Sequence, residues 1–251
     1  MMRKLGVAGL VGLLALASFA SGALAQCGSG LLIKFDSDAF AYETSYNPAT
    51  FISAPGSQMT TVGIASFFCA PLNGLDPTDP LKEYTFVFSG LTSAGTVGPT
   101  AVGTSTRWQT SYGNGQFYIY EGSPRNAPTA AGGMPVNPPN ATVPANFADG
   151  TLILQGTLSN FITTITRASS GTFATSFRAD YQFTGPAAGP VYVLVSGTGP
   201  GLLSGLWCAN STAPGLCDIP VGYSAHPNGK FDQPAVAAIN STWGKIKTLY
   251  R

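Results

Sequence analysis

One histidine, three glutamates and a scatter of aspartates are the side chains best placed to move protons or hold ions. His226, the only histidine, sits in Ala225-His226-Pro227-Asn228-Gly229, a turn-like context. Triad chemistry needs a nucleophile on one side of the imidazole and an orienting acid on the other. No Gly-x-Ser-x-Gly elbow supplies the serine, so His226 is expected to be an exposed loop residue. A zinc site built on several histidines is excluded. Glycoside hydrolysis needs only two carboxylates, and Glu43, Glu83 and Glu121 are candidates. No signature surrounds them. The chain therefore reads as non-enzymatic, with a carboxylate-pair hydrolase as the enzymatic alternative.

Calcium is the one ion with candidate ligands, and no organic cofactor is implied. Asp36-Ser37-Asp38 and Asp76-Pro77-Thr78-Asp79 place oxygens close together on turns, as a hard cation prefers. Neither Asp36 and Asp38 nor Asp76 and Asp79 complete an EF-hand loop, and aspartates are also routine turn formers. The concrete binding candidates are Arg107, Gln109, Tyr118 and Tyr120. Exposed tyrosine rings beside such groups suit an extracellular glycan, since they offer contact area at little entropic cost. The competing expectation is that a second sheet or a loop covers the rings.

This grouping depends on how Thr104–Glu121 folds. Asn114-Gly115 is a strong two-residue hairpin turn, because both residues accept positive φ. A hairpin there sets Tyr112 against Phe117 and Trp108 against Glu121. It buries Trp108, Thr110, Tyr112, Phe117 and Ile119 on one face. Arg107, Gln109, Ser111, Tyr118 and Tyr120 fall on the other. A one-residue slip sets Arg107 against Glu121 instead, and both registers stand at this point.

Alternation with period two marks the scaffold. From Thr172 to Phe183, the residues Phe173, Thr175, Phe177, Ala179, Tyr181 and Phe183 share one side, the mark of a strand with one buried face. Further strands are expected over 31–35, 60–69, 84–89, 117–121, 152–155, 161–166 and 191–196. Thirty-one glycines and nineteen prolines argue against long helices. A long connection with six prolines spans 122–149, and 197–234 reads as irregular. Many short strands at this spacing imply an all-β, antiparallel β-sandwich, jelly-roll-like, with long Pro/Gly-rich loops. No fixed repeat supports a solenoid.

Residues 1–25 have the three parts of a bacterial-type secretory leader: Arg3 and Lys4, an apolar run, then Ala23-Leu24-Ala25. Cleavage after Ala25 is expected, giving a secreted or periplasmic protein without a membrane span. Gln26 stands where a lipobox carries a small residue, so lipidation at Cys27 is disfavoured. Loss of Arg3 and Lys4 leaves ten basic and eleven acidic residues, a net charge of −1. With 9% charged residues there is no basic field for nucleic acid. Cys27, Cys69, Cys208 and Cys217 imply two disulfides in an exported chain. Of three pairings, Cys208–Cys217 with Cys27–Cys69 is favoured because the first closes a short turn-rich loop. A four-thiolate metal site lacks its usual Cys-x-x-Cys spacing. Asn140, Asn210 and Asn240 fit the N-glycosylation pattern but read as chance matches in a bacterial-type chain.

Gln116–Glu121, the Pro/Asn loop after it, and Phe147–Gly156 resemble stretches of exported bacterial β-sandwich proteins, many of which carry a PEP-CTERM sorting tail. The resemblance covers about 70 residues on that composition and implies a secreted β architecture. This chain lacks the Pro-Glu-Pro motif and apolar span of that tail, so no functional residue carries over. The organisation expected is a leader at 1–25, a β-sandwich domain at 26–233 and a short helical tail at 234–251. In the tail Trp243, Ile246 and Leu249 recur at helical spacing. A docked or frayed helix is one reading of it, a basic recognition tail the other. The function expected is structural or adhesive, with carbohydrate or surface proteins as partners.

Overall fold

The computed structural model describes residues 27, 30–129, 145–209, 219 and 222–233. The expected leader, Cys217, the three Asn-x-Thr matches and the C-terminal tail lie outside them. So does the middle of the proline-rich connection.

Eleven strands and two short helices are found among the described residues: β1 (Leu31–Glu43), β2 (Tyr46–Asn47), β3 (Ile52–Ser53), β4 (Gln58–Phe68), β5 (Glu83–Val102), β6 (Ser105–Tyr112), β7 (Gly115–Gly122), α1 (Ala145–Ala148), β8 (Thr151–Arg167), β9 (Phe173–Gly185), α2 (Pro190–Val195), β10 (Gly201–Cys208) and β11 (His226–Asp232). The all-β, antiparallel class read from the alternation is what is observed. β2 and β3 form a small hairpin of their own. The other strands form one sheet that runs β4, β1, β11, β10, β9, β8, then β6 and β7, then β5. β5 pairs back onto β4, with Val62 opposite Val87. The two layers of the sandwich are therefore opposite walls of a closed sheet. With β6 and β7 counted as one line and the β2–β3 hairpin set aside, ring neighbours are chain neighbours except for the first and last strands, β1 and β11: a meander in place of jelly-roll crossovers. Closure gives every strand of the wall a bonded neighbour on both sides.

The space between the walls is filled with rings. Phe35 of β1 meets Phe86 of β5 at 4.7 Å between centroids and Phe177 of β9 at 6.4 Å. Phe231 of β11 meets Phe117 of β7 at 5.3 Å and Tyr181 of β9 at 5.0 Å. Such pairs contribute about 0.5–1.5 kcal/mol each beyond the area they bury. Glycines in the wall make the room. A Cβ on Gly156 would stand 2.4 Å from the Phe117 ring, one on Gly229 2.6 Å from Phe177, and one on Gly63 2.6 Å from Phe86. The inward row of β9 is the one the alternation picks out, with Phe177, Ala179, Tyr181 and Phe183 all buried.

Four local expectations are corrected. β6 and β7 form no hairpin. Both lie between β5 and β8, so together they make one strand line interrupted at Gly113-Asn114. β5 and β8, at 20 and 17 residues, are long enough to bond both pieces. A hairpin at Asn114 would have left ladders unpaired; the wall keeps the same residues in one line, with the register to β5 and to β8 unchanged across the break. The face assignment survives, because Thr110, Tyr112, Phe117 and Ile119 still point inward and are buried. Segments 152–155 and 161–166 are one strand, β8. Residues 190–195 coil into α2, which starts on Gly189 as N-cap with Pro190 in its first turn, where proline is favoured. The stretch read as irregular contains β10 and β11. Their glycines look like chain breakers in sequence and act as spacers for rings in the fold.

Gly156→Ala is expected to cost about 2–3 kcal/mol, because its methyl would press on the Phe117 ring and the Gln182 carbonyl. Gly74→Ala, with open space around it, should change stability by less than about 0.5 kcal/mol. Urea unfolding of the two variants checks the difference.

Candidate functional site

Outward-pointing residues of β7 form the candidate site. Tyr118 and Tyr120 alternate with Phe117 and Ile119, so their rings lie on the outer wall, 6.5 Å apart and inclined by 28°. The two tyrosines differ in setting. Tyr120 packs on a second apolar cluster outside the wall, made by Phe40, Val62, Val87, Phe147 and Tyr223. Phe147 is carried there by α1, and the Thr85 hydroxyl donates to its carbonyl at 2.9 Å. Burial pushes the Tyr120 phenol above its ordinary pKa, with neighbouring Tyr118 adding to the shift. The proline-rich connection thus covers part of this face, as the competing expectation held. Tyr118 stays half-exposed, and its hydroxyl donates to Gln116 Oε1.

Two adjoining depressions lie along β7, the first of them beside Tyr118. One, of about 210 Å³, is lined by Gln116, Tyr118, Gln155, Thr157 and Thr184. The other, of about 490 Å³, opens at the interruption between β6 and β7 and is lined by Ser89, Asn114, Gln116, Thr157 and Ser159. They share Gln116 and Thr157.

Arg107 and Gln109 also point outward, but on β6. Arg107 lies between Thr100 and Thr166, and Gln109 between Val97 and Thr164. Nine residues separate Gln109 from Tyr118, up to about 30 Å of strand at 3.3 Å per residue. The structure brings the two tyrosines together and leaves Arg107 and Gln109 apart from them, because their grouping required the hairpin.

Asp76 and Asp79 serve turns. Asp76 Oδ1 accepts the Thr78 amide at 2.9 Å and its hydroxyl at 2.6 Å; these bonds, the hydroxyl's first, hold its carboxyl below the usual range. Asp79 Oδ1 accepts the Leu81 amide at 2.9 Å. The Arg125 guanidinium ties this loop together through the carbonyls of Pro77, Asp79 and Lys82. Asp38 is half-buried where β1 departs from regular pairing with β4, and the Asp36 side chain lies outside what is described. Among the described residues no three His, Cys, Asp or Glu side chains gather around a common point.

Glu83 and Glu121 stand on paired strands, Glu83 opposite Gly122 and Glu121 opposite Tyr84, each engaged with its own partners. Glu83 is buried and accepts the amides of Asn126 at 3.0 Å and Ala127 at 3.1 Å, which fixes the chain leaving β7. Glu121 pairs with Lys82 at 2.8 Å. Glu43 lies far from both. It stands opposite Met59, which stands opposite Leu91, eight residues along β5 from Glu83; that is about 26 Å of strand.

Glu43 forms the polar cluster that inspection of the residues missed. It shares the inward parity of Ala39 and Ala41, and the β2–β3 hairpin folds over it. Ser53 donates to Glu43 Oε1, Tyr112 donates to Oε2 at 3.0 Å, and the Glu43 amide donates to Ser224 at 2.9 Å. The Ser53 and Ser93 hydroxyls stand 2.6 Å apart. Phe51, held at φ 59°, packs on Trp108 and Phe173. Burial raises the Glu43 carboxyl above its ordinary value, although bonds from Ser53, Tyr112 and Ser57 oppose the shift. Desolvation and then the nearby Glu43 charge raise the phenols of Tyr46 and Tyr112. The Tyr46 hydroxyl is buried with no partner among the described residues.

His226 is half-buried at the start of β11, where its ring stacks on Phe40 at 4.9 Å. It is a wall residue, which corrects the expected exposed loop. Cys27 and Cys69 are bridged with Cα atoms 5.7 Å apart, and Cys208 is disulfide-bonded. Among the described residues no helix is long and apolar enough to cross a membrane. Comparison with protein-family models, curated proteins and solved structures finds no match to this chain.

Because burial raises the Glu43 carboxyl in the folded protein, its contribution is fully present below the unfolded pKa of about 4.3. That contribution is lost as pH rises through the higher folded value. Glu43→Gln should abolish this dependence. Unfolding free energies from about pH 3.5 to 7.5 should show the variant gaining on the parent as pH rises; parallel profiles would contradict the assignment.

Proposed function

We propose that the chain is an exported, non-enzymatic structural or adhesive protein that holds carbohydrate against its outer wall. The observation that carries this reading is the half-exposed Tyr118 ring beside the Gln116 and Gln155 amides and the Thr157 hydroxyl. A sugar presents an apolar C–H face and a rim of hydroxyls. A ring face answers the first. Groups that both donate and accept answer the second. The filled lumen favours the outer wall as the place of contact, since Phe35, Phe117, Phe177 and Phe231 occupy the space in which a barrel could hold a ligand. Export rests on the leader pattern at 1–25, and the Cys27–Cys69 bridge is in keeping with an oxidising compartment.

The test is a glycan array probed with the secreted protein. Selective binding is expected. Tyr118→Ala should weaken it by about tenfold or more, equivalent to about 1.4 kcal/mol, with the thermal midpoint unchanged. Tyr120→Ala should instead cost about 1 kcal/mol of stability, because its ring is partly packed. A silent array would contradict the reading.

A further inference from the structure

Resting on that reading, we infer that the site takes uncharged oligosaccharides, and that it extends from Tyr118 across the gap between β6 and β7 to Asn114.

Lining chemistry supports the first part. Three primary amides face the two depressions, from Asn114, Gln116 and Gln155, with the hydroxyls of Tyr118, Thr157 and Thr184. Among the described residues no charged side chain lines either one. Each amide donates two hydrogen bonds and accepts two, and each hydroxyl does both, which matches sugar hydroxyls in any orientation. A uronate or sulfate would lose water against these groups without a cation to replace it, a net cost.

Continuity supports the second part. Gln116 and Thr157 belong to both depressions, and Gln116 also receives the Tyr118 hydroxyl bond. From Asn114 to Tyr118 is four residues, about 13 Å of strand, too long for one sugar ring and suited to a short chain. The interruption creates the far end. Where β6 stops and β7 begins, Asn114 stands exposed beside Ser89 and Gly90 of β5.

Calorimetry on the full secreted protein tests both parts. The neutral probes are cellohexaose, mannohexaose and chitohexaose with their disaccharides; the charged probes are hexagalacturonate and a heparin hexasaccharide. At least one neutral hexamer should bind more tightly than its disaccharide, and its affinity should be unmoved by added salt. Asn114→Ala should weaken the hexamer by about three- to tenfold, within about 1.4 kcal/mol, and leave the disaccharide unchanged. On adding the hexamer, the amide resonances of Gly90, Asn114 and Gln116 should shift in the unmodified protein, a readout that needs no variant. Salt-sensitive binding of only the charged probes, lost in Tyr118→Ala, would overturn this inference and leave carbohydrate binding standing. Equal hexamer and disaccharide affinity with no shift at Gly90 or Asn114 would overturn the extended site. No binding of any probe would overturn both readings.

Discussion

Rings of Phe35, Phe86, Phe117, Phe177 and Phe231 meet between the walls of the sheet, and this contact holds opposite strands together. It works because the wall carries glycine where a ring must lie against backbone. Gly156 faces Phe117, and Gly229 faces both Phe177 and Phe35. Glycine weakens a strand on its own, so the closed sheet depends on the rings to offset that weakness. Pairing of β4 with β5 then closes the ring.

A filled interior restricts where polar chemistry can sit. It is found at one end of the barrel and on the outside. At the end, the β2–β3 hairpin seals Glu43, Tyr46, Ser53 and Tyr112 from water, with Phe51 as the apolar part of the seal. On the outside, α1 and the segment around Tyr223 cover one patch of wall and stop short of Tyr118. Among the described residues, the strip beside Tyr118 left outside this cover runs to the place where the β6–β7 line breaks.

What could be read from the residues follows from which signals are local. The row Phe173 to Phe183 declares its own face, so β9 and the all-β class were legible. The outward parity of Tyr118 and Tyr120 was legible too, because the observed break at Gly113-Asn114 and a hairpin turn at Asn114-Gly115 leave the same residues inward. The choice between them was not. It is decided by the lengths of β5 and β8, which bond both pieces. β10 and β11 were hidden because Gly201, Gly205 and Gly229 signal breaks unless the facing rings are known. The grooves join Ser89, Gln116 and Gln155 across three strands, and no stretch of sequence records that neighbourhood. Glu43 shared the parity of Ala39 and Ala41, a signal present in the residues that a search for carboxylate pairs passed over.

The continuous β6–β7 line supports both the closed wall and the groove, and proton–proton contacts measured by NMR test it most directly. Across antiparallel partners, about 4.5–5.5 Å apart at Cα, cross-peaks should link Gln109 to Val97 and Thr164, and Phe117 to Phe88 and Gly156. A cross-peak between the backbones of Tyr112 and Phe117, with the Phe88 and Gly156 contacts missing, would mean that the chain turns back at Asn114. Both the closed wall and the groove would then be wrong.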